Sequence, residues 1–331
     1  MMDAPGAATQ EVGFVVIGRN EGDRLVRSLR SIDSSLSNVV YVDSNSSDGS
    51  LDRARDLGSN VVALDMTKLF SAARARNAGF STLLDQNGSL DFVQFIDGDC
   101  ELEQSWIAAA SAFLVENGNV AVVCGRRRER FPEHSVYNQL CDIEWNTPVG
   151  PALECGGDFL VRVSAFQAVA GFADEMIAGE EPDLCARLRA AGWTIWRLDA
   201  DMTWHDANIT RFQQWWRRAV RCGYSYAALW QRHGRGPDRL RRKQVVSAMF
   251  WGGAFPVAVI AGTLVWLPTM ALLTVYPLQA LRIGSRSDAK GWNGVLYGSS
   301  IMIAKFAELV GIVKFWRDHV QRRRGVLIEY K

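Results

Sequence analysis

The chain reads as an α/β domain with a mostly parallel sheet covered by helices on both faces, followed by apolar membrane helices toward the C-terminus. Three observations predict this. Short β-branched runs recur through the first part of the chain, stretches with helical spacing separate them, and no residue from Val245 to Leu281 is charged. Strands alternating with helices of this length build βαβ units, whose parallel strands are buried on both faces.

The elements follow in order. VGFVVIG (12–18), NVVYVD (38–43), NVVALD (60–65), FVQFID (92–97) and VAVVCG (120–125) are the expected strands. Helices are expected around Leu25, Leu29 and Ile32, then over 50–57, 72–84 and 106–115. In such sheets the ligand crevice lies beyond the carboxyl ends of the strands. Asp43, Asp65 and Asp97 each close a strand run there. The middle section, 126–205, is less regular. It holds a Gly-Gly turn in CGGDFLVRV (155–163), an acidic helix start in GEEPDLCARLRAAGW (179–193), and a strand-like TIWRL (194–198) leading to MTWHD (202–206).

Farther on, Phe212, Trp215, Trp216, Ala219, Val220, Gly223, Ala227 and Trp230 fall at helical spacing with arginines interleaved. A helix with aromatics on one face and arginines on the other suits the headgroup boundary of an anionic membrane. The uncharged stretch that follows is too long for one span of about 20 residues and about right for two. Pro256, Pro268 and Pro277 interrupt it, and WLPT (266–269) is the expected turn. Arg241, Arg242 and Lys243 flank one side, and Arg282, Arg286 and Lys290 the other. Positive flanks stay cytoplasmic, so the segment is expected to be a hairpin. Val295 to Phe315 is apolar but carries Lys305 and Glu308, which suits either a further span or an interfacial helix. The expected organisation is therefore a disordered lead (1–10), a catalytic domain (11–206), basic and aromatic interfacial helices (207–243), a transmembrane hairpin (244–283), a further membrane or interfacial helix (291–321) and a basic tail (322–331).

Composition narrows the partners. With 37 Lys and Arg against 36 Asp and Glu, no net charge calls for nucleic acid. The six cysteines never form a CxxC pair, which reads as reduced, buried thiols of a cytosolic compartment and not as a disulfide or zinc framework. MMDAPGAATQ has neither the basic nor the apolar region of a signal peptide.

The chemistry centres on FIDGDCE (95–101), where a hydrophobic strand runs straight into Asp97-Gly98-Asp99. Two adjacent carboxylates repel unless they share a cation. Mg²⁺ takes one or two carboxylates together with phosphate oxygens and water, which makes such a pair tolerable. Asn20 and Glu21 follow the first strand, where they could bond a nucleoside, and Asp43 could accept an N–H from a base. Arg74, Arg76 and Asn77 could meet phosphate charge, and His205 could add a metal ligand. Taken singly each has a plainer reading as a helix cap, a solvated charge or a structural histidine.

Together, GRNE, VVYVDSNSSDGS, ARNAGF, FIDGD, GEEPDLCARLRAAGW and the downstream histidine, in this order, resemble the family 2 glycosyltransferases with the GT-A (Rossmann-like) fold, of the membrane-associated bacterial type. The resemblance covers residues 11 to 221. It implies inverting transfer of a sugar from a nucleoside-diphosphate sugar donor, with Mg²⁺ or Mn²⁺ as cofactor. On that analogy Asn20, Glu21, Asp43, Arg76 and Asp97 bind the donor, and Asp97, Asp99 and His205 hold the metal. The family's Glu-Asp pair, whose aspartate is the catalytic base, falls on Glu180-Glu181. Glutamate there is one methylene longer, so the base is Glu181 or Glu180, with Asp183 a third candidate. QQWWRRAVRCG (213–223) echoes the Gln-x-x-Arg-Trp motif of processive synthases, but Arg218 stands where that tryptophan would be.

A basic, aromatic helix directly after the metal histidine implies a crevice near the cytoplasmic leaflet of the cell's inner membrane. A lipid-linked acceptor, in glycan or polysaccharide synthesis, then fits best. Two alternatives belong to other classes: a sugar-phosphate nucleotidyltransferase, for which GRNEGDR is a poor Gly-rich loop, and a membrane-tethered nucleotide-sugar-binding scaffold without catalysis.

Overall fold

A computed structural model describes residues 10–32 and 38–323. The expected lead (all but Gln10) and most of the expected basic tail lie outside the described residues. The chain divides into two compact units. The first takes in the chain through Arg128, Thr147–Glu175 and Glu180–Asp206; the second takes in Glu129–Asn146, Met176–Gly179 and the chain from Ala207 on.

The first unit carries the strands β1 (Val12–Gly18), β2 (Val39–Asp43), β3 (Asn60–Ala63), β4 (Phe92–Asp97), β5 (Cys100–Leu102), β6 (Val120–Glu129), β7 (Gly150–Ala152), β8 (Phe159–Arg162) and β9 (Thr194–His205). Its helices are α1 (Asp23–Arg30), α2 (Ser50–Asp56), α3 (Ala72–Gln86) and α4 (Trp106–Glu116), with α6 (Val163–Ala168) and α7 (Glu180–Ala190) following α5 (Val136–Glu144) of the second unit. Among the described residues the strands form one mixed sheet, in the order β3-β2-β1-β4-β8-β6-β9-β5, with β7 on β9.

The four N-terminal strands are parallel, as the β-branched runs predict. Their register pairs Gly18 with Asp43 and Ile17 with Asp97, so both carboxylates emerge at one edge on either side of β1. The expected strand at 120–125 runs in the same direction as β4 but one place farther out. Between them β8 returns antiparallel, pairing Phe95 with Phe159 and Val122 with Val161. The run NVVALD ends as a strand at Ala63, and Asp65 lies beyond it, exposed, accepting from the Thr67 amide at 2.9 Å. TIWRL and MTWHD are one twelve-residue strand, β9.

Val15, Val16, Tyr41, Val42, Phe95 and Ile96 are fully buried, as continuous apolar strands covered on both faces should be. Phe80, Phe95, Phe159, Phe166 and Phe172 form a ring cluster with centroids 4.4–6.2 Å apart where α3, α6 and the sheet meet.

The second unit is helical: α5 (Val136–Glu144), α8 (Phe212–His233), α9 (Arg242–Met249), α10 (Phe255–Val265), α11 (Val275–Arg286) and α12 (Trp292–Val320). A π-turn at Phe250–Ala254 joins α9 to α10 just before Pro256, whose missing N–H interrupts the regular ladder. The helical runs Arg242–Val265 and Trp292–Val320 are long and apolar enough to cross a membrane. The first of these runs covers the first half of the hairpin expected at 244–283. After Trp266 the chain continues as a 3₁₀ segment, Leu267–Thr274, that runs directly into α11. Around this bend Leu264 is 86% and Val265 90% exposed.

The apolar stripe of α8 is covered within its own unit. Trp215, Ala219 and Val220 pack with Cys141, Ile209, Ala304 and Ala307, while Phe212 stays exposed. A Cβ on Gly223 would overlap the Glu308 carbonyl, and one on Gly311 the Val220 carbonyl, so the backbones of α8 and α12 touch at two glycines. The aromatic face expected at a headgroup boundary is thus mostly a helix–helix contact. Gln214 caps α8, its Oε1 accepting from the amides of Thr210 and Arg211 at 3.0 Å each, and Arg218 donates to Glu144 at 2.8 Å.

Candidate active site

Asp97 is the last residue of β4, and the chain turns there because the Gly98 amide donates back to the Ile17 carbonyl at 2.8 Å. A Cβ on Gly98 would lie 3.1 Å from that carbonyl oxygen and 3.2 Å from Glu21 Cγ, so the glycine in Asp-Gly-Asp lets two strand ends close up.

Asp97 is held from three sides. Its Oδ1 accepts from Arg76 Nη2 at 2.7 Å, and its amide donates to Asp158 Oδ1 at 2.9 Å. Asp158 is fully buried, accepts from Thr203 Oγ1 at 3.0 Å and faces Arg127 at 2.8 Å. Gly157 completes the cradle. A Cβ there would stand 2.8 Å from Asp97 Oδ2 and 2.9 Å from Arg76 Nη2.

Arg76, on α3 and 3% exposed, also donates from Nη1 to Glu180 Oε1 at 2.9 Å. Its guanidinium stands 5.6 Å from the Phe172 ring centroid. Burial opposes its charge, but Asp97 and then Glu180 outweigh burial and raise its pKa above the ordinary arginine value.

Asp99 and His205 are delivered by the pairing of β5 with β9, which sets Cys100 opposite His205. His205 Nε2 lies 3.1 Å from Asp99 Oδ2, and both side chains are buried. Ligand atoms of Asp99, Cys100 and His205 fall within 4.8 Å of one another. Asp97, at the end of β4, lies outside that group and presents a carboxylate oriented by Arg76. Carboxylate oxygens with an imidazole nitrogen suit Mg²⁺ or Mn²⁺, so these residues fit such a cation.

On the other side of β1, Asn20 sits in the left-handed region at φ 57°. Its amide donates to Ser46 Oγ at 2.9 Å and its Oδ1 accepts from the Ser47 amide at 2.8 Å. Asp43 accepts from Tyr41 Oη at 2.9 Å and from the Ser46 amide at 2.8 Å. Asn20 and Asp43 thus fix one loop between them, and Glu21 pairs with Arg24 at 2.8 Å.

The acidic start of α7 splits. Glu180 joins Arg76 as above, while Glu181 turns the other way. Its Oε1 accepts from the Cys155 amide at 2.6 Å, Cys185 Sγ at 3.0 Å and Cys155 Sγ at 3.1 Å. Burial, with Glu154 nearby, pushes its pKa up against the hydrogen bonds it accepts. Asp183 is fully buried against Arg187 at 2.8 Å. Arg74 donates to the carbonyls of Asp65, Lys68 and Leu69, and Asn77 clips Phe172 and Asp174, so neither faces Asp97. Sequence reasoning missed Gly157, Asp158 and the meeting of Cys155 with Cys185. The one available signal was an acid directly after a Gly-Gly turn and before an apolar run.

Residues 14–152 match the model of the family described as glycosyl transferase family 2. The chain is 26% identical over 191 residues to the succinoglycan biosynthesis protein ExoA of Rhizobium meliloti (strain 1021), covering 54% of this chain and 56% of that protein. It is 27% identical over 297 residues to the pre-mycofactocin glycosyltransferase of Mycobacterium tuberculosis (strain CDC 1551 / Oshkosh), covering 84% of this chain and 58% of that one. The chain thus spans less than two thirds of the length of either relative. The solved structure of the mannosyltransferase PcManGT from Pyrobaculum calidifontis, in complex with GDP-Man and Mn²⁺, superposes with a TM-score of 0.64 at 19% identity, covering 95% of this chain and 90% of that one. A GT-A sheet, an acid-glycine-acid turn at the carboxyl ends of its parallel strands and a family match over those strands lead to one conclusion: residues 14–152 are a glycosyl transferase family 2 region on a GT-A fold.

Proposed function

We propose that this protein transfers a sugar, with inversion, from a nucleoside-diphosphate sugar to a lipid-linked acceptor at the cytoplasmic face of a membrane, in glycan or polysaccharide synthesis. The observation that carries the reading is the ion network of Arg76 with Asp97 and Glu180 beside the Asp99–His205 pair. A divalent cation held by Asp97, Asp99 and His205 supplies charge neutralisation for a leaving diphosphate. The chain's own groups do the rest. Arg76 locks Asp97 in place, and Asn20, Glu21 and Asp43 shape the nucleoside end. The acceptor oxygen bonds to the anomeric carbon as the bond to the diphosphate breaks on the opposite face. Its proton passes to a carboxylate, for which Glu181 is the proposed base, with Glu180 anchoring Arg76. Glu180 is engaged by Arg76, while burial raises the pKa of Glu181 and with it the basicity of its carboxylate.

The two long apolar helices and the exposed apolar bend support a membrane location, and with it a lipid acceptor. The test is to incubate the detergent-solubilised chain with labelled nucleotide sugars, Mn²⁺ and a membrane lipid extract, then partition the product. Label in the organic phase is expected. Label only in the aqueous phase overturns the lipid acceptor, and donor binding without transfer to any acceptor overturns the enzymatic reading.

A further inference from the structure

Beside the proposed base lies a group of side chains that glycosyl transfer does not use. Glu181 and Cys185 stand one turn apart on α7 and so share a face. Cys155 approaches them from the segment before β8. The Cys155 and Cys185 sulfurs are 3.6 Å apart, and each lies 3.0–3.1 Å from Glu181 Oε1. The three ligand atoms fall within 4.8 Å of one another. Cys124, from β6, is near enough to interact electrostatically with Glu181 and Cys185.

We infer that this pocket is a second cation site, one for a soft, thiophilic divalent cation of the zinc and cadmium class, bound by the Cys155 and Cys185 thiolates and the Glu181 carboxylate. Two thiolates about 2.3 Å from a tetrahedral zinc stand about 3.8 Å apart, close to the separation already present, so the sulfurs barely have to move. The carboxylate adds a reason. Glu181 is 6% exposed, and its hydrogen-bond partners among the described residues are two thiols and an amide, with Glu154 adding repulsion. A buried negative charge without a cation is costly, and a bound divalent cation removes that cost. Binding is balanced by release of the two thiol protons to solvent. Cys155 is only partly buried, which leaves a way in.

The donor set, two thiols and a carboxylate, is softer than that of Asp99, Cys100 and His205, which holds one thiol and binds a thiophilic cation less tightly. Where Glu181 is the base, loading the pocket withdraws it and blocks transfer. That consequence rests on the proposed function; the site itself does not.

The experiment titrates Cd²⁺ into the full chain in detergent and follows the near-ultraviolet thiolate-to-cadmium charge-transfer band, which depends on sulfur ligation and not on activity. One equivalent should bind in the wild type and in Asp99→Asn. The band should vanish in Cys155→Ser/Cys185→Ser, with circular dichroism confirming that this variant folds. Glu181→Gln should keep a band but weaken binding about tenfold or more. A wild-type chain that gives no band, a band that survives in the double serine variant, or a band lost in Asp99→Asn overturns the proposal.

Discussion

Arg76 donates to Asp97 at 2.7 Å while its other terminal nitrogen holds Glu180 at 2.9 Å, so one guanidinium ties the end of β4 to the start of α7. The arginine is 3% exposed, and its carboxylates are largely shielded too. Removing one partner from a buried ion network typically costs about 3–5 kcal/mol, because a desolvated charge is left behind. Arg76→Ala should therefore lower the thermal midpoint and abolish transfer. Arg76→Lys keeps the charge but not the planar fork, and should fall between the two. A midpoint for Arg76→Ala equal to the wild type would show that the network contributes nothing.

Asp97→Asn, Asp99→Asn and His205→Ala should each reduce transfer by about 100-fold or more, in line with the several kcal/mol that metal-assisted charge neutralisation supplies. Transfer should stop in excess chelator and return with Mg²⁺ or Mn²⁺. Full turnover in excess EDTA would sink the metal assignment.

Glu181→Gln and Glu180→Gln separate base from anchor. Loss of a positioned general base costs about 10²–10⁴-fold in rate. With a hydroxyl acceptor, Glu181→Gln should show that loss while donor binding survives. Glu180→Gln should instead weaken donor binding by loosening Arg76. An active Glu181→Gln together with a dead Glu180→Gln reverses the two roles. An acceptor phosphate is already ionised, so with such an acceptor Glu181→Gln should retain its rate.

Gly157→Ala forces a methyl against Asp97 and Arg76, with 2.8 and 2.9 Å to their nearest atoms. The expected result is a large fall in transfer with little change in thermal midpoint, since the displaced atoms belong to the site and not to the core. A wild-type rate would mean that the cradle yields freely.

Much of this was legible in the sequence, for a physical reason. Val15, Val42 and Ile96 are buried on both faces of parallel strands, so their runs stand out, and the acids at the strand ends stand out against them. Asp43, Asp97, Asp99, Arg76 and His205 could be picked because each charged or polar residue interrupts or ends an apolar run. The supports could not. Asp158 and Gly157 act through long-range contacts to residues about sixty positions away, and no periodicity encodes that. The covering of α8 was hidden for a similar reason. Its stripe looks the same whether it faces lipid or α12, and only Gly223 and Gly311 meeting each other's helices decide. Two adjacent residues of one helix start, Glu180 and Glu181, face different neighbours, which spacing alone does not resolve.

The pairing of Cys100 with His205 joins a three-residue strand to the last residues of a twelve-residue one. Side chains alternate faces along a strand, so a slip of one residue in β9 would present Trp204 or Asp206 opposite Cys100 and turn the imidazole away from Asp99. The address of the histidine is therefore counted from the ends of this ladder and not along the chain between them. Loop-length change in the long excursion from Glu103 to Trp193 leaves that count intact. A single residue gained or lost between Thr203 and His205 does not, and it would turn the imidazole away from Asp99 with the Leu102–Thr203 pairing still in place.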